Sequence, residues 1–398
     1  MRHISCAILI AAVSGCGYEP QVTEPLAARA QLTPNARYDV VYLPTLGGTR
    51  NRPSGINNQG WVAGFANRPG NATRVAALWG AGSGDALDTL GTLGGPNSIV
   101  QWPGLSNNGM IAGIAETAQL DPLNEEWSCT AFFPSVTGHI CRGFFWESGV
   151  MAALPTLGGN QGFATGVNSR GQVVGWAETP VHDPTCNAPQ VLQFRAVLWE
   201  PKKGLKRELP PLPGDSTSAA TAINDKGQVV GISGECDIAV GQLSAQHSVL
   251  WDNGTVTEIG DLGGDAWHTP MDINEQGDVV GFSNPPYVVG IDFNPLAFLW
   301  TRERGIASLG KLVGDTSSQA LGINNRRQVV GVSSGDLNRA FLWENGVMKD
   351  LNTLVGPGFP DLLIVAQHIN DAGVIVGRAV LHGTTIQVPF VATPVTTP

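Results

Sequence analysis

An all-β fold of seven repeated four-stranded units is what this sequence predicts, and three observations carry the prediction. The first is a ten-residue pattern that occurs seven times: an apolar residue, a polar turn around Asn and Gly, then a short apolar run ending in Gly. It reads GINNQGWVAG at 55–64, GLSNNGMIAG at 104–113, GVNSRGQVVG at 166–175, AINDKGQVVG at 222–231, DINEQGDVVG at 272–281, GINNRRQVVG at 322–331 and HINDAGVIVG at 368–377. Start-to-start spacings of 49, 62, 56, 50, 50 and 46 residues are the periods of stacked or radial repeats. The second is a Trp that closes the third segment of six units: Trp79, Trp146, Trp199, Trp251, Trp300 and Trp343, with Ala392 in the seventh. The third is a mismatch between the chain ends. LGG-type fourth segments follow six units, at 85–95, 149–159, 203–215, 253–265, 304–315 and 345–356, and the missing one stands at the front, in RYDVVYLPTLGG at 37–48. The last unit stops after its third strand, at Phe390-Val391. A strand near 39–43 therefore pairs with one near 386–391 and closes a ring, which also removes free sheet edges. The expected fold is a seven-bladed β-propeller. A β-helix has shorter coils and would not need a split repeat.

The elements of one unit are clearest at 322–354. GINN ends a first strand, QVVGVSS is a second, rich in β-branched residues, RAFLWE a third and GVMKDL a fourth. Asn324 can bond its own downstream backbone as an Asx-turn. The Gly that ends such a turn takes positive φ without a Cβ clash. Arg327 stands there in the sixth copy and predicts a strained or altered turn. The recurrent Trp reads as a packing plug between repeats, and Ala219, Ala220 and Ala320 as the small inner side of a wedge. Connections between second and third strands are long at 117–141, 177–194 and 283–295. With 51 Gly, 27 Pro, 42% hydrophobic and 14% charged residues, the chain suits a turn-rich β fold rather than a disordered one. The repeat overrides the two or three domains that 398 residues would allow.

Residues 1–15 read as a signal peptide: a basic start and an apolar run too short to span a bilayer. Val13-Ser14-Gly15-Cys16 resembles a lipoprotein cleavage site, with Cys16 as the lipid attachment residue; an ordinary signal peptide cut nearby is the alternative. Residues 16–36 form the lipidated N-terminus and a tether, 37–394 the propeller and 395–398 a tail. Cys6 leaves with the signal and Cys16 takes lipid. Cys129, Cys141, Cys186 and Cys236 remain, an even number in an oxidising setting. On the expected blades, Cys129 and Cys141 share one inserted loop, while Cys186 and Cys236 lie in equivalent loops of neighbours. Those are the expected disulfides.

The segments INNxGQVVG, RAFLWENG, MKDL and TLGG resemble the HAF-repeat family of bacterial extracellular proteins, over about residues 38–391. The resemblance implies an exported repeat protein of propeller type. It brings no reaction, substrate or catalytic residue with it.

The chemistry is less legible. There is no GxSxG elbow, HExxH or phosphate-binding loop, and the His residues lack metal-ligand spacing. No catalytic residue, metal or cofactor is expected. A net charge of −10 argues against nucleic acid; Lys202, Lys203, Lys206 and Arg207 read as a solvated hairpin face. Asp215, Asp265 and Asp315 recur every 50 residues in fourth-strand loops, as a polar ring for a cation or glycan or as turn caps. Asp272 and His368 replace Gly at the start of the pattern and are either channel-lining or locally paired. Trp267 and His268 lie in a loop on the same face as the insertions. Apart from His368, these six residues form the candidate binding set. The expected function is a non-enzymatic binding or interaction scaffold, lipid-anchored at the bacterial envelope on the periplasmic or cell-surface side, monomeric, with a glycan or envelope protein as ligand. The alternative is a glycan-active hydrolase or lyase using Asp265, Asp315 and Asp272, with two carboxylates ~5–9.5 Å apart for a hydrolase.

Overall fold

The turn chemistry of the ten-residue pattern builds each blade. In a computed structural model that describes residues 37–80, 87–125, 131–237, 240–286 and 293–395, Asn324 Oδ1 accepts the backbone N–H groups of Arg326 and Gln328, both at 3.0 Å. This folds Ser317–Ile323 back on Val329–Ser334. The chain then meanders outward through Asn338–Glu344 and Val347–Asp350. Seven such antiparallel sheets form the ring. Blades 1 to 6 span 52–89, 94–153, 162–209, 217–258, 268–310 and 317–350. The protein is a seven-bladed β-propeller, with no α-helix among the described residues and two short 3-10 turns.

Blade 7 is assembled from both ends, as the split repeat predicts. Its three inner strands are Leu362–Ile369, Ile375–Val380 and Gln387–Pro394, and Tyr38–Tyr42 is the fourth. The register runs from Tyr38↔Pro394 to Tyr42↔Phe390.

The meander places the Asn-Gly turns and the third-to-fourth turns on one face. The second-to-third and blade-to-blade connections lie on the other, the loop face. On the turn face the pattern has a second use. Each first Asn donates from Nδ2 to a carbonyl of the next blade: Asn168 to Asn224, Asn224 to Asn274, Asn274 to Asn324, Asn324 to Asn370, Asn370 to Asn57 and Asn57 to Ser106. Ser106 breaks the chain of donors, and Asn108 completes it by donating to Ser169 O at 2.7 Å.

The recurrent Trp joins blades as expected, by two versions of one joint. The indole N–H of Trp79, Trp199 and Trp251 donates to the carbonyl of Pro44, Pro155 and Pro210, each leaving the preceding blade's outer strand. Opposite Trp146, Trp300 and Trp343 the same place holds Gly91, Gly260 and Gly310, all at positive φ. The Gly91 and Gly310 carbonyls accept instead from Ser98 and Ser318 Oγ, both at 2.6 Å, and these three Trp are half-buried without the bond.

Two expectations need correcting, and a third, the strained Arg327 turn, is met. The axial side is not uniformly small: Ala219 faces the centre, but so do Phe163, Trp176, Met271, Leu321 and Ile364. A ring of seven leaves an axial space to fill. Two extra residues in blade 2, Trp102 and Pro103, help fill it; Trp102 packs edge-on against Phe163 and Trp176 at 5.6 and 5.8 Å. The Arg327 turn keeps its hydrogen bond, Arg327 N to Asn324 O at 3.1 Å, at φ 56°. A two-pronged contact with Asp278 of blade 5, at 2.6 and 3.1 Å, offsets the strain. Blade 4 also carries a long loop, 235–246, beyond the three expected insertions, and in blades 2 and 3 much of each insertion extends the strands to Leu120 and His182.

Candidate functional site

The loop face carries the non-repeating side chains. A cavity of about 690 Å³ opens where the 351–361 connection between blades 6 and 7 meets the turn at 381–384. Phe359, Asp361 and His382 line it. Asp361 is positioned by Tyr42, whose hydroxyl donates to its carboxylate, and by the backbone N–H of His382 at 2.7 Å. Tyr42 also packs on Phe359, centroids 6.3 Å apart. Burial, then the hydrogen bond with Asp361, pushes the Tyr42 phenol up. This pocket lies away from the six predicted residues, none of which lines it.

Those six do not converge. Asp215 accepts from Ser233 Oγ at 2.6 Å, and its backbone N–H closes a turn on Leu212 O. Asp315 closes the matching turn on Leu312 O and pairs with Arg339 at 2.8 Å; Arg339 also reaches Asp350 at 3.3 Å. Asp265 is exposed and out of step with them. It follows Gly264, which bonds Asn284 O, whereas Asp215 and Asp315 directly follow the positive-φ Gly214 and Gly314. Trp267 is half-buried at φ 63° and meets Phe293 edge-on at 4.9 Å. His268 is the first residue of a strand rather than a loop residue. It is buried, with Nδ1 2.7 Å from Ser283 Oγ and Nε2 3.1 Å from Gly264 O, and burial pushes its imidazole down. Asp272 takes the paired reading. Its Oδ2 is 3.3 Å from Nε2 of His368, the other polar departure at the same repeat position, and accepts Ile323 N–H at 2.9 Å. Among the described residues no three His, Cys, Asp or Glu side chains group as a metal site.

Cys186 and Cys236 form the expected disulfide between the loops of blades 3 and 4. Cys141 is buried in the axial cluster. Cys129 and Cys16 lie outside the described residues.

Sequence reading missed a set of buried carboxylates. Glu116 and Glu178 occupy equivalent places midway along the second strands of blades 2 and 3. Glu178 accepts from Asn160 N, Gln161 N and Gln190 Nε2 at 3.1, 2.7 and 3.0 Å. Burial, reinforced by nearby Glu125, pushes its carboxyl up to about 8. Glu116 accepts from Asn97 N–H and from Thr137. The signal was present in the TLGG loops: a Cβ at Gly159 would stand 2.4 Å from Glu178 Cβ, and one at Gly95 2.5 Å from Glu116 Cβ. That signal marks the place and not the residue, because the second Gly clears Asn67 at Gly48 and Asn284 at Gly264 in the same way. The loop-face end of the axis also divides by chemistry, with aromatics on the side of blades 2 and 3 and Arg52, Arg74 and Arg378 on the side of blades 7 and 1.

No family model matches the chain, and no curated protein matches it. Solved structures do. Virginiamycin B lyase from Staphylococcus aureus is 11% identical with a TM-score of 0.51, over 90% of this chain and 100% of that one. The acylaminoacyl peptidase of Pyrococcus horikoshii is 9% identical with a TM-score of 0.46, over 83% of this chain and 49% of that one. TolB from Acinetobacter baumannii is 10% identical with a TM-score of 0.41, over 72% and 61%. At these identities the likeness is one of fold, and propellers host catalysis and binding alike.

Proposed function

We propose that the protein is a non-enzymatic binding scaffold, exported like the HAF-repeat proteins it resembles and held at the bacterial envelope through a lipid on Cys16, and that its loop face takes the ligand. One observation carries the choice of face. On the turn face an Asn of the pattern is spent on its neighbour all the way round the ring, the first Asn in six blades and Asn108 in blade 2. The loop face keeps a cavity and irregular side chains, the combination ligand sites use. The scaffold reading is supported by the state of the carboxylates that catalysis would need: Asp272 is committed to His368 and Asp315 to Arg339. The disulfide is consistent with export.

Binding to a glycan array and to purified envelope fractions should fall with Phe359→Ala or Trp267→Ala and stay unchanged with Gln59→Ala, an exposed turn-face position. Asn58 is not a neutral control, because its side chain bonds Asp371. Loss of binding with Gln59→Ala alone refutes the choice of face. Cys16→Ala should release the folded protein from membranes; unchanged membrane association refutes the anchor.

A further inference from the structure

Three arginines depart from the repeat with no acid to match them. Arg378 stands on the second strand of blade 7, one residue after the recurrent Gly, where the other blades carry Phe65, Ile114, Trp176, Ile232, Phe282 and Val332. Arg52 opens the inner strand of blade 1, where blades 3 and 4 have Phe163 and Ala219. Arg74 opens the third strand of blade 1, where blade 3 has Phe194. Arg52 is 6% exposed. Burial first, and then repulsion from Arg378 and Arg74, pushes its guanidinium well down; burial pushes Arg74 and Arg378 to about 10. A guanidinium still keeps its proton at neutral pH, so positive charge is concentrated here.

Its partners are all neutral oxygens. Arg52 Nη2 donates to Gln367 Oε1 at 2.7 Å and Arg378 Nη1 to Gln387 Oε1 at 2.9 Å. Arg74 donates to Asn67 Oδ1 at 3.2 Å and Phe132 O at 2.6 Å, and lies 4.3 Å over the Phe65 ring. None of the three makes an ion pair among the described residues, whereas Arg327 and Arg339 each hold an Asp. Three buried donors are left over: Nε of Arg52, Nε of Arg378 and Nε2 of Gln367. Buried donors without acceptors are costly, and buried like charges without a counter-charge more so.

We propose that the loop-face mouth at the junction of blades 7 and 1 binds an oxyanion, the carboxylate, phosphate or sulfate group of a ligand, between Arg52, Arg378 and Arg74. The planar fork of Arg suits such a group, and an anion supplies both the missing acceptors and the missing charge. Arg50, exposed and close enough to Arg74 to repel it, marks the way in. The site does not depend on the scaffold reading, and its test needs no knowledge of the loop-face ligand.

The protein is titrated at pH ~7 and constant ionic strength with sodium phosphate, sulfate and acetate, against chloride, by calorimetry and thermal unfolding. At least one should bind saturably with Kd of ~1 mM or tighter and raise Tm. Preference for phosphate and sulfate assigns a tetrahedral group, preference for acetate a carboxylate. Arg52→Ala with Arg378→Ile, the residues of blade 4, should weaken binding at least tenfold. Should that pair not fold, Arg378→Lys keeps the charge, loses the fork and should also weaken binding. No saturable binding of any of the three by the parent protein overturns the proposal, as does binding unchanged in the variant that folds.

Discussion

Replacing Asp272 and His368 singly and together tests whether two departures from the repeat form one device. Asp272 Oδ1 accepts Ile273 N–H at 2.9 Å in blade 5, and Oδ2 accepts Ile323 N–H at 2.9 Å in blade 6 and faces His368 Nε2 at 3.3 Å in blade 7. His368 Nδ1 is 3.2 Å from Ile56 of blade 1. Four consecutive blades are tied through two side chains. The intervening blade makes room with Gly322, where a Cβ would lie 3.0 Å from both Cα and Cδ2 of His368. Asp272→Ala orphans the buried Ile323 N–H and strips His368 of its partner. At ~1–3 kcal/mol for an unsatisfied buried donor, a loss of ~3 kcal/mol is expected. His368→Ala leaves Asp272 its two backbone donors and should cost less, ~2 kcal/mol. The second change removes a partner the first has already disabled, so the double variant should lose ~3–4 kcal/mol, a coupling of ~1–2 kcal/mol. Urea unfolding followed by Trp fluorescence gives all four corners of the cycle. Losses that add to within ~0.5 kcal/mol would show that the contact carries no energy and that the pairing is incidental.

Two further outcomes follow from the packing. Glu178 has its carboxyl raised from an ordinary 4.5 to about 8. The folded state therefore holds this proton more tightly than the unfolded chain. Its stabilisation is complete below pH ~4.5 and is lost as pH rises through ~8, each tenfold difference in proton affinity being worth about 1.4 kcal/mol. Glu178→Gln should flatten the decline of Tm between pH ~5 and ~8; an unchanged decline assigns it to other groups. Trp199→Phe removes the bond to Pro155 O, whereas Trp146→Phe removes no such bond. The first should cost ~1 kcal/mol more in urea unfolding, and equal costs would dismiss the Pro-dependent joint.

The fold was legible because its signals are repeated. A single Asn-Gly turn is weak evidence, but seven at blade spacing, with a fourth strand displaced from one end to the other, leave few architectures. The Asx-turn at Asn324, the pairing of the 38–42 strand and the Cys186–Cys236 disulfide follow from local chemistry plus that topology. The contents of the axis were not legible, because axial side chains meet across the ring at no fixed separation. Trp102 reaches residues more than 60 positions away, and Arg52 bonds a residue 315 positions on. The Asp loops misled for a related reason. A spacing of 50 matched Asp265 to Asp215 and Asp315, yet its loop reaches the second Gly where theirs already turn on Asp.

Departures from a repeat can be sorted by whether the structure answers them. Arg327 at a Gly position is answered by Asp278, and Asp272 by His368. Where the loop carries Asp315, Gly335 yields the space: a Cβ there would lie 2.7 Å from the carboxylate. In each case a change that costs stability alone is matched by a second change in contact with it, so none of these positions requires a ligand to explain it. The arginines at 52, 74 and 378 break the pattern in the same way and have no such answer within the protein. Their partners are neutral amides and carbonyls, and three donors remain unused. A residue set that the fold does not compensate is where compensation from outside is to be sought, and a group of guanidiniums narrows the outside partner to an anion.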